Sequence, residues 1–288
     1  MPEQGLFVAL GSTRYRVERP WGDLPALRGG GGVTDVACDA VGNVFVQIRS
    51  DPYTEAAGNP AIAVLAPDGR LIRAWGAGEV ADGHMATVSP DGRVFVVDRD
   101  AHEIVVFDAE GRRLGGLGRR HRPGEPFNAP CDVAFGPDGA IYVADGYGNS
   151  QVHRFSADGR LLASWGRPGA GPGEFTTPHS VWVFPDGRVA VADRENHCVQ
   201  IFTADGRFLA AWADHHKPMD VHGGPDGTLY VTDQVPRLSL LSGDGALLGR
   251  CRPVLNGAHG IWRDPGRGVL YLAEMNPNRI TRLVPVAG

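Results

Sequence analysis

Pro178-His179-Ser180-Val181, the turn Asp186-Gly187, Val191-Ala192-Asp193-Arg194-Glu195-Asn196 and Gln200-Ile201-Phe202 make up one unit that recurs along the chain. The Asp-Gly turn returns at Asp91-Gly92, Asp138-Gly139 and Asp226-Gly227, so successive turn glycines stand 47, 48 and 40 residues apart. Val41-Gly42 is an earlier member and Gly266-Arg267-Gly268 a degenerate later one. A second turn follows each first one, at Asp68-Gly69, Glu110-Gly111, Asp158-Gly159, Asp205-Gly206 and Asp244-Gly245. Asp-Gly between apolar runs is a strong hairpin signal. The third unit reads as four strands: Asp132 to Phe135, Ala140 to Ala144, Gln151 to Phe155 and Leu161 to Trp165. Valine, isoleucine, tyrosine and phenylalanine fill these runs, as pleated, half-buried strands require.

Four antiparallel strands repeated every ~40–50 residues describe a β-propeller blade. No stretch keeps a helical apolar period, so the expectation is an all-β chain with almost no helix. The sixth unit ends after Arg279-Ile280-Thr281-Arg282-Leu283 without its outer strand. Arg14 to Gly22, ending Trp21-Gly22, resembles the outer strands that end Trp75-Gly76 and Trp165-Gly166. The N-terminal strand is therefore expected to complete the last blade, which closes the ring and removes its open edges. This predicts a six-bladed β-propeller with residues 1–288 as a single domain.

The chain has 288 residues, 42% of them hydrophobic, enough for a large core. Its 41 glycines and 22 prolines suit many turns between short strands. Net charge is −5, and the one basic cluster, Arg119-Arg120-His121-Arg122, reads as a solvated loop, so no nucleic-acid partner is expected. There is no apolar run of membrane-spanning length, so no membrane partner is expected either. Met1 to Leu10 lacks the pattern of a signal peptide, and the expected localisation is cytoplasmic. Cys38, Cys131, Cys198 and Cys251 are scattered and read as buried or half-buried thiols.

The residue entering the first strand of each blade is Thr34, His84, Cys131, His179, Met219 and His259 in turn. The first strand of a propeller blade lines the central channel. Histidines in alternate blades then sit at threefold positions around the axis, and three converging imidazoles with an open position match a catalytic zinc site. Any one of them alone would read as a hydrogen-bonded channel residue. The remaining histidines, including His215-His216, show no such register. The next column is Asp35, Met85, Asp132, Ser180, Asp220 and Gly260. Its carboxylates either bond the backbone of neighbouring blades or orient the imidazoles. Tyr147 lies in a glycine-flanked loop where a packed tyrosine is not expected, Arg49 follows the second strand of blade one, and Arg194 occupies the loop equivalent to that of Tyr147. These loops open at the same mouth as the histidine column. The alternative for each arginine is an inter-blade salt bridge.

Pro178-His179-Ser180-Val181 with Val191 to Asn196 and Gln200-Ile201-Phe202, preceded by Val143-Ala144-Asp145-Gly146-Tyr147-Gly148-Asn149-Ser150, resembles the peptidyl-α-hydroxyglycine α-amidating lyases, six-bladed NHL-repeat propellers. The resemblance implies that His84, His179 and His259 bind zinc, or another divalent transition metal. It implies that Tyr147 and Arg49 carry catalysis, with Arg194 as a further active-site arginine. The reaction implied is cleavage of the N–C bond of an α-hydroxyglycine, a small-molecule-type substrate, to an amide and glyoxylate. Zinc would lower the pKa of the substrate hydroxyl, Tyr147 with a lowered pKa would be the base, and an arginine would hold the carboxylate. The family pattern also has an aspartate after the last histidine that helps bind a structural calcium near the positions of Val36 and Ala86. Gly260 stands there instead, so calcium lacks its charged ligand.

The leading expectation is thus a zinc-dependent lyase acting on an α-hydroxyglycine-like carbinolamide. The alternatives are another metal-dependent lyase or hydrolase on the same ring, or a non-catalytic NHL propeller that binds a protein partner.

Overall fold

The computed structural model describes residues 5–29, 31–50 and 58–286. Blade one runs outward from the channel as β3 (Gly32–Cys38), β4 (Val44–Arg49), β5 (Ile62–Leu65) and β6 (Leu71–Trp75). Blade two is β7 (Gly83–Val88), β8 (Val94–Asp98), β9 (Glu103–Phe107) and β10 (Arg113–Gly118). Blade three is β11 (Asp132–Phe135), β12 (Ile141–Asp145), β13 (Gln151–Phe155) and β14 (Leu161–Trp165), within one residue of each bound expected from sequence. Blade four is β15 (Pro178–Val183), β16 (Val189–Asp193), β17 (Cys198–Phe202) and β18 (Phe208–Trp212). Blade five is β19 (Pro218–Gly223), β20 (Leu229–Asp233), β21 (Arg237–Leu241) and β22 (Leu247–Cys251).

Blade six is built from both ends of the chain. It contains β23 (Gly260–Arg263), β24 (Leu270–Met275) and β25 (Asn278–Val286), then β2 (Thr13–Trp21) and β1 (Leu6–Leu10). The expected closing strand is β2, which pairs antiparallel with β25 from Arg14↔Val286 to Trp21↔Ile280. The outermost β1 is an addition that the repeat pattern does not announce. It folds back on β2 through a tight turn, Leu10 facing Thr13, and sinks Leu10 into the apolar junction with blade five. A strand laid over β2 covers an edge that would otherwise be open to pairing. A 3-10 turn forms at Arg194–Asn196.

Innermost and second strands are almost wholly buried except for the half-buried β23, while outermost strands such as β18 alternate. Burial comes from neighbouring blades: six apolar clusters fill the junctions, from blades six and one (Trp21, Val46, Tyr271) round to blades five and six (Tyr230, Leu238, Leu272). The second Asp-Gly turn of each unit has a further job in this packing. Gly206 and Gly245 have φ of 88° and 89°, and a Cβ on them would meet Trp165 and Trp212 of the preceding blade at 2.5 Å. The glycine thus permits both the left-handed turn and the seating of a tryptophan across the junction. All four cysteines are free, with Cys38 and Cys131 buried and the other two half-buried.

Candidate metal centre and active site

The turns place the first residue of every innermost strand at one mouth of the channel, and the histidine column converges there. The ring centroids of His84, His179 and His259 are 4.9, 4.9 and 5.1 Å apart, with the rings inclined at 73–75° to one another. One ligand nitrogen of each lies within 4.8 Å of the others, the only such gathering of His, Cys, Asp or Glu among the described residues. All three side chains are buried.

The rest of the column explains how the rings are held. His84 Nδ1 donates to the carbonyl of Cys131 at 2.7 Å, His179 Nδ1 to that of Met219 at 2.6 Å, and His259 Nδ1 to that of Thr34 at 2.9 Å. Each acceptor is the non-histidine member of the column in the next blade. A carbonyl can only accept, so every Nδ1 carries a proton and every Nε2 presents a lone pair toward the axis. Burial, with the neighbouring imidazoles, holds His84 and His179 well below the usual histidine range, and burial takes His259 down to about 4. Three neutral imidazoles with aligned lone pairs are what a divalent ion requires.

Tyr147 stands over this cluster. Its hydroxyl is 3.1 Å from His84 Nε2 and 3.2 Å from His179 Nε2, and Arg194 Nη1 donates to it at 3.2 Å. One phenol proton serves only one of these two lone pairs, so the cluster has fewer protons than acceptors. A cation on the three Nε2 atoms would meet that deficit, and the residues therefore fit the metal that the histidine pattern implies. Two arginines flank the tyrosine: Arg194 and Arg99 sit 5.3 and 5.4 Å from its ring centre. Even so, burial raises the Tyr147 pKa above its usual value, Cys131 adds to this, and the arginines oppose it without winning. The expected lowering of the Tyr147 pKa beside a metal and an arginine therefore does not come from the arginines alone.

Arg49 forms a bidentate pair with Asp82, Nε to Oδ1 at 2.7 Å and Nη2 to Oδ2 at 3.0 Å. Asp82 also binds Arg99 and ties blade one to blade two. The salt-bridge reading of Arg49 is therefore seen, with the guanidinium still at the histidine mouth. Arg194 pairs with Glu195 at 3.0 Å, within its own loop, and its other end reaches Tyr147. Arg99 and Asp82 were not picked out from sequence. The signal for Arg99 was there: Gly32↔Arg49, Gly83↔Asp98 and Pro178↔Asp193 align the second strands so that Arg99 and Arg194 both follow the strand-ending aspartate.

The second column is now decided. Asp35 Oδ2 accepts from Ala86 N–H at 2.9 Å, Asp132 Oδ2 from Val181 N–H at 2.9 Å, and Asp220 Oδ2 from Ile261 N–H at 2.6 Å. Each carboxylate staples its blade to the next through backbone, and the imidazoles are oriented by carbonyls instead. Burial raises all three acids; their neighbours raise Asp35 and Asp220 further. Asp132 reaches about 6, Asp220 about 8, and Asp35 lies well above the usual range. Gly260 packs on Asp35: a Cβ there would lie 2.0 Å from Asp35 Oδ1, so the space of the missing aspartate is filled from blade one. His215 is buried, with both ring nitrogens unpartnered, and belongs to a different loop from the metal centre.

Residues 127–155 and 175–202 match the NHL repeat. The chain is a six-bladed propeller that carries NHL repeats and resembles the α-amidating lyases. It is 37% identical over 101 residues, 34% of its length, to a probable peptidyl-α-hydroxyglycine α-amidating lyase of Caenorhabditis elegans. It is 27% identical over 145 residues, 49% of its length, to peptidyl-α-hydroxyglycine α-amidating lyase 2 of Drosophila melanogaster. These matches span 29% and 32% of the two relatives, under a third of each. A gluconolactonase of Xanthomonas campestris shares the fold of this propeller, with a TM-score of 0.73, 16% identity, and coverage of 96% of this chain and 91% of the other. The relatives support a lyase-type enzyme, and the buried histidine triad can hold a metal. No helix among the described residues is long and apolar enough to cross a membrane.

Proposed function

We propose that this propeller is a zinc-dependent lyase that splits a carbinolamide of the α-hydroxyglycine type into an amide and an α-oxo acid. The observation that carries the reading is the set of three Nε2 lone pairs, each fixed by a carbonyl-bonded Nδ1, with the Tyr147 hydroxyl in contact with two of them. His84, His179 and His259 would hold the ion. When bound, it supplies polarisation of the substrate hydroxyl and a positive charge that lowers nearby pKa values.

The chain's own groups do the rest. Tyr147, in reach of that hydroxyl, takes its proton as the carbon–oxygen double bond forms and the C–N bond breaks. The electron pair leaves on the amide nitrogen, and the proton on Tyr147 is delivered there, so charge balances without a further reactant. Burial raises the Tyr147 pKa and the arginines only partly offset it, so a bound ion would be the group that lowers it. Arg194, donating to the same oxygen, and Arg99, over the ring, stabilise the phenolate. Arg49, held rigid by Asp82, is placed to pair with the substrate carboxylate.

The test is metal content and turnover of α-hydroxyhippurate to benzamide and glyoxylate, wild type beside His179→Ala. About one zinc per chain with turnover, both lost in the variant, supports the reading. Zinc without turnover points to another metal-dependent reaction. No metal in either protein sinks the site.

A further inference from the structure

The channel has a second mouth, and it is built differently. Beyond the carboxylate layer, the last residues of the innermost strands and their turns enclose a cavity of about 540 Å³. It opens at the end of the strands remote from the histidines, since its lining runs from Asp35 to Val41, Ala86 to Gly92 and Asp132 to Phe135. One wall is aromatic. His222 packs 4.3 Å from Trp182 and 4.4 Å from Trp262, ring centre to ring centre. Burial drives the His222 pKa down to about 3, so this ring carries no charge at neutral pH.

The floor is acidic. Asp35, Asp132 and Asp220 all line the cavity, and every charged lining residue among those described is an aspartate. At the rim, Asp39 is engaged by Val41, Asn43 and its own turn, and Asp91 by Ser89 and Arg93. On the floor, Oδ1 of Asp132 and of Asp220 accepts the following N–H at 2.7 and 2.8 Å. No such bond closes at Asp35, whose Oδ1 is unpartnered although the residue is only 5% exposed. Three closely spaced buried carboxyl groups, one with an unpartnered oxygen packed against Gly260, underlie an apolar room with an aromatic wall.

We propose that this cavity is a binding site for a small organic cation, an alkyl- or arylammonium ion whose charge lies toward Asp35, Asp132 and Asp220 and whose apolar body packs on Trp182, His222 and Trp262. The aromatic wall packs the apolar body and adds cation–π attraction where the polarised C–H groups beside the nitrogen reach a ring. An ammonium charge also offsets the cost of ionising these closely spaced carboxyls, which an apolar or anionic ligand cannot do. The volume suits a single small molecule.

Calorimetry with benzyltrimethylammonium on the metal-loaded protein tests this. The expected result is saturable one-to-one binding, at least about tenfold weaker in Trp262→Leu and Asp132→Asn. Binding persists in His179→Ala, which separates this site from the metal centre and from the proposed lyase activity. Thermal melts check that the variants fold, and Phe135→Leu, at the cavity wall, serves if Trp262→Leu does not. Absence of binding at millimolar probe overturns the proposal. So does equal binding of neopentylbenzene, the uncharged isostere, or loss of binding in folded His179→Ala. Stoichiometric calcium binding that excludes the probe would make the floor an inorganic cation site and likewise end it.

Discussion

The two mouths of this channel are made by the same six strands and have opposite chemistry. At one, three imidazoles are ringed by Arg49, Arg99 and Arg194, and Tyr147 closes over them. At the other, three carboxyl groups underlie an aromatic wall with no cationic side chain among the described lining residues. One residue of strand, about 3.3 Å, separates the histidine column from the aspartate column. The difference shows how a propeller assigns chemistry: residue parity along the strand and blade parity around the ring together choose which groups meet. Histidines come from blades two, four and six, aspartates from one, three and five, and each kind meets only its own at its own level.

The largest expected break falls on the histidine side. His179→Ala should lower kcat by on the order of a thousandfold or more, as loss of a main electrostatic group does, and should remove the metal, read by elemental analysis. Full activity in the metal-free variant would erase the distinction between the mouths. Next is Tyr147→Phe, which keeps the metal and loses the proton carrier. Turnover should fall by about 10²–10⁴-fold with zinc stoichiometry unchanged; a fall in metal content instead would make Tyr147 a structural cap. Arg99→Leu removes a flanking charge without touching a histidine. A loss of about 3–30-fold in kcat/KM, the scale of a partly desolvated cation–π contact, is expected, with an upward shift of the acidic limb of the pH–rate profile if Arg99 acts through Tyr147, since a base must lose its proton to work.

The smallest effect belongs to the acidic side and is one of stability. Asp220 keeps its proton in the folded chain to about pH 8, whereas an unfolded aspartate loses it near pH 4. Between these values the native state binds more protons than the unfolded one, so stability falls as pH rises. Buried His215, His222 and His259, with lowered pKa values, act in the opposite sense, but only below the usual histidine range. The metal-free protein should therefore lose stability from pH 6.5 to pH 8, seen as a falling Tm, by an amount of order one to a few kcal/mol at about 1.4 kcal/mol per pKa unit. Asp220→Asn should flatten that slope. An unchanged slope would mean that the carboxyl layer is ionised throughout and would remove the contrast in protonation between the two levels.

Much of this was legible in the chain because repeats are local. The spacing of Asp-Gly turns announces six blades, the Trp21-Gly22 ending announces the closing strand, and alignment of strand starts brings His84, His179 and His259 into one column before any coordinates. The strand β1 was not legible, since Leu6 to Leu10 belongs to no repeat and is held by contacts with blade five. Arg99 was readable in principle, one position after an aspartate that its repeat shares with Arg194, but its importance depends on Asp82 and Tyr147, 17 and 48 residues away in sequence. Sequence determined which residues share a level of the channel, because strand period and repeat period are properties of the chain itself. Only the tertiary structure decided their states: the tautomers of the histidines, the raised pKa of Tyr147, the staples made by the aspartates and the cavity beneath them. Those depend on carbonyls, burial and charges contributed by neighbouring blades, and such contacts exist only once the ring has closed.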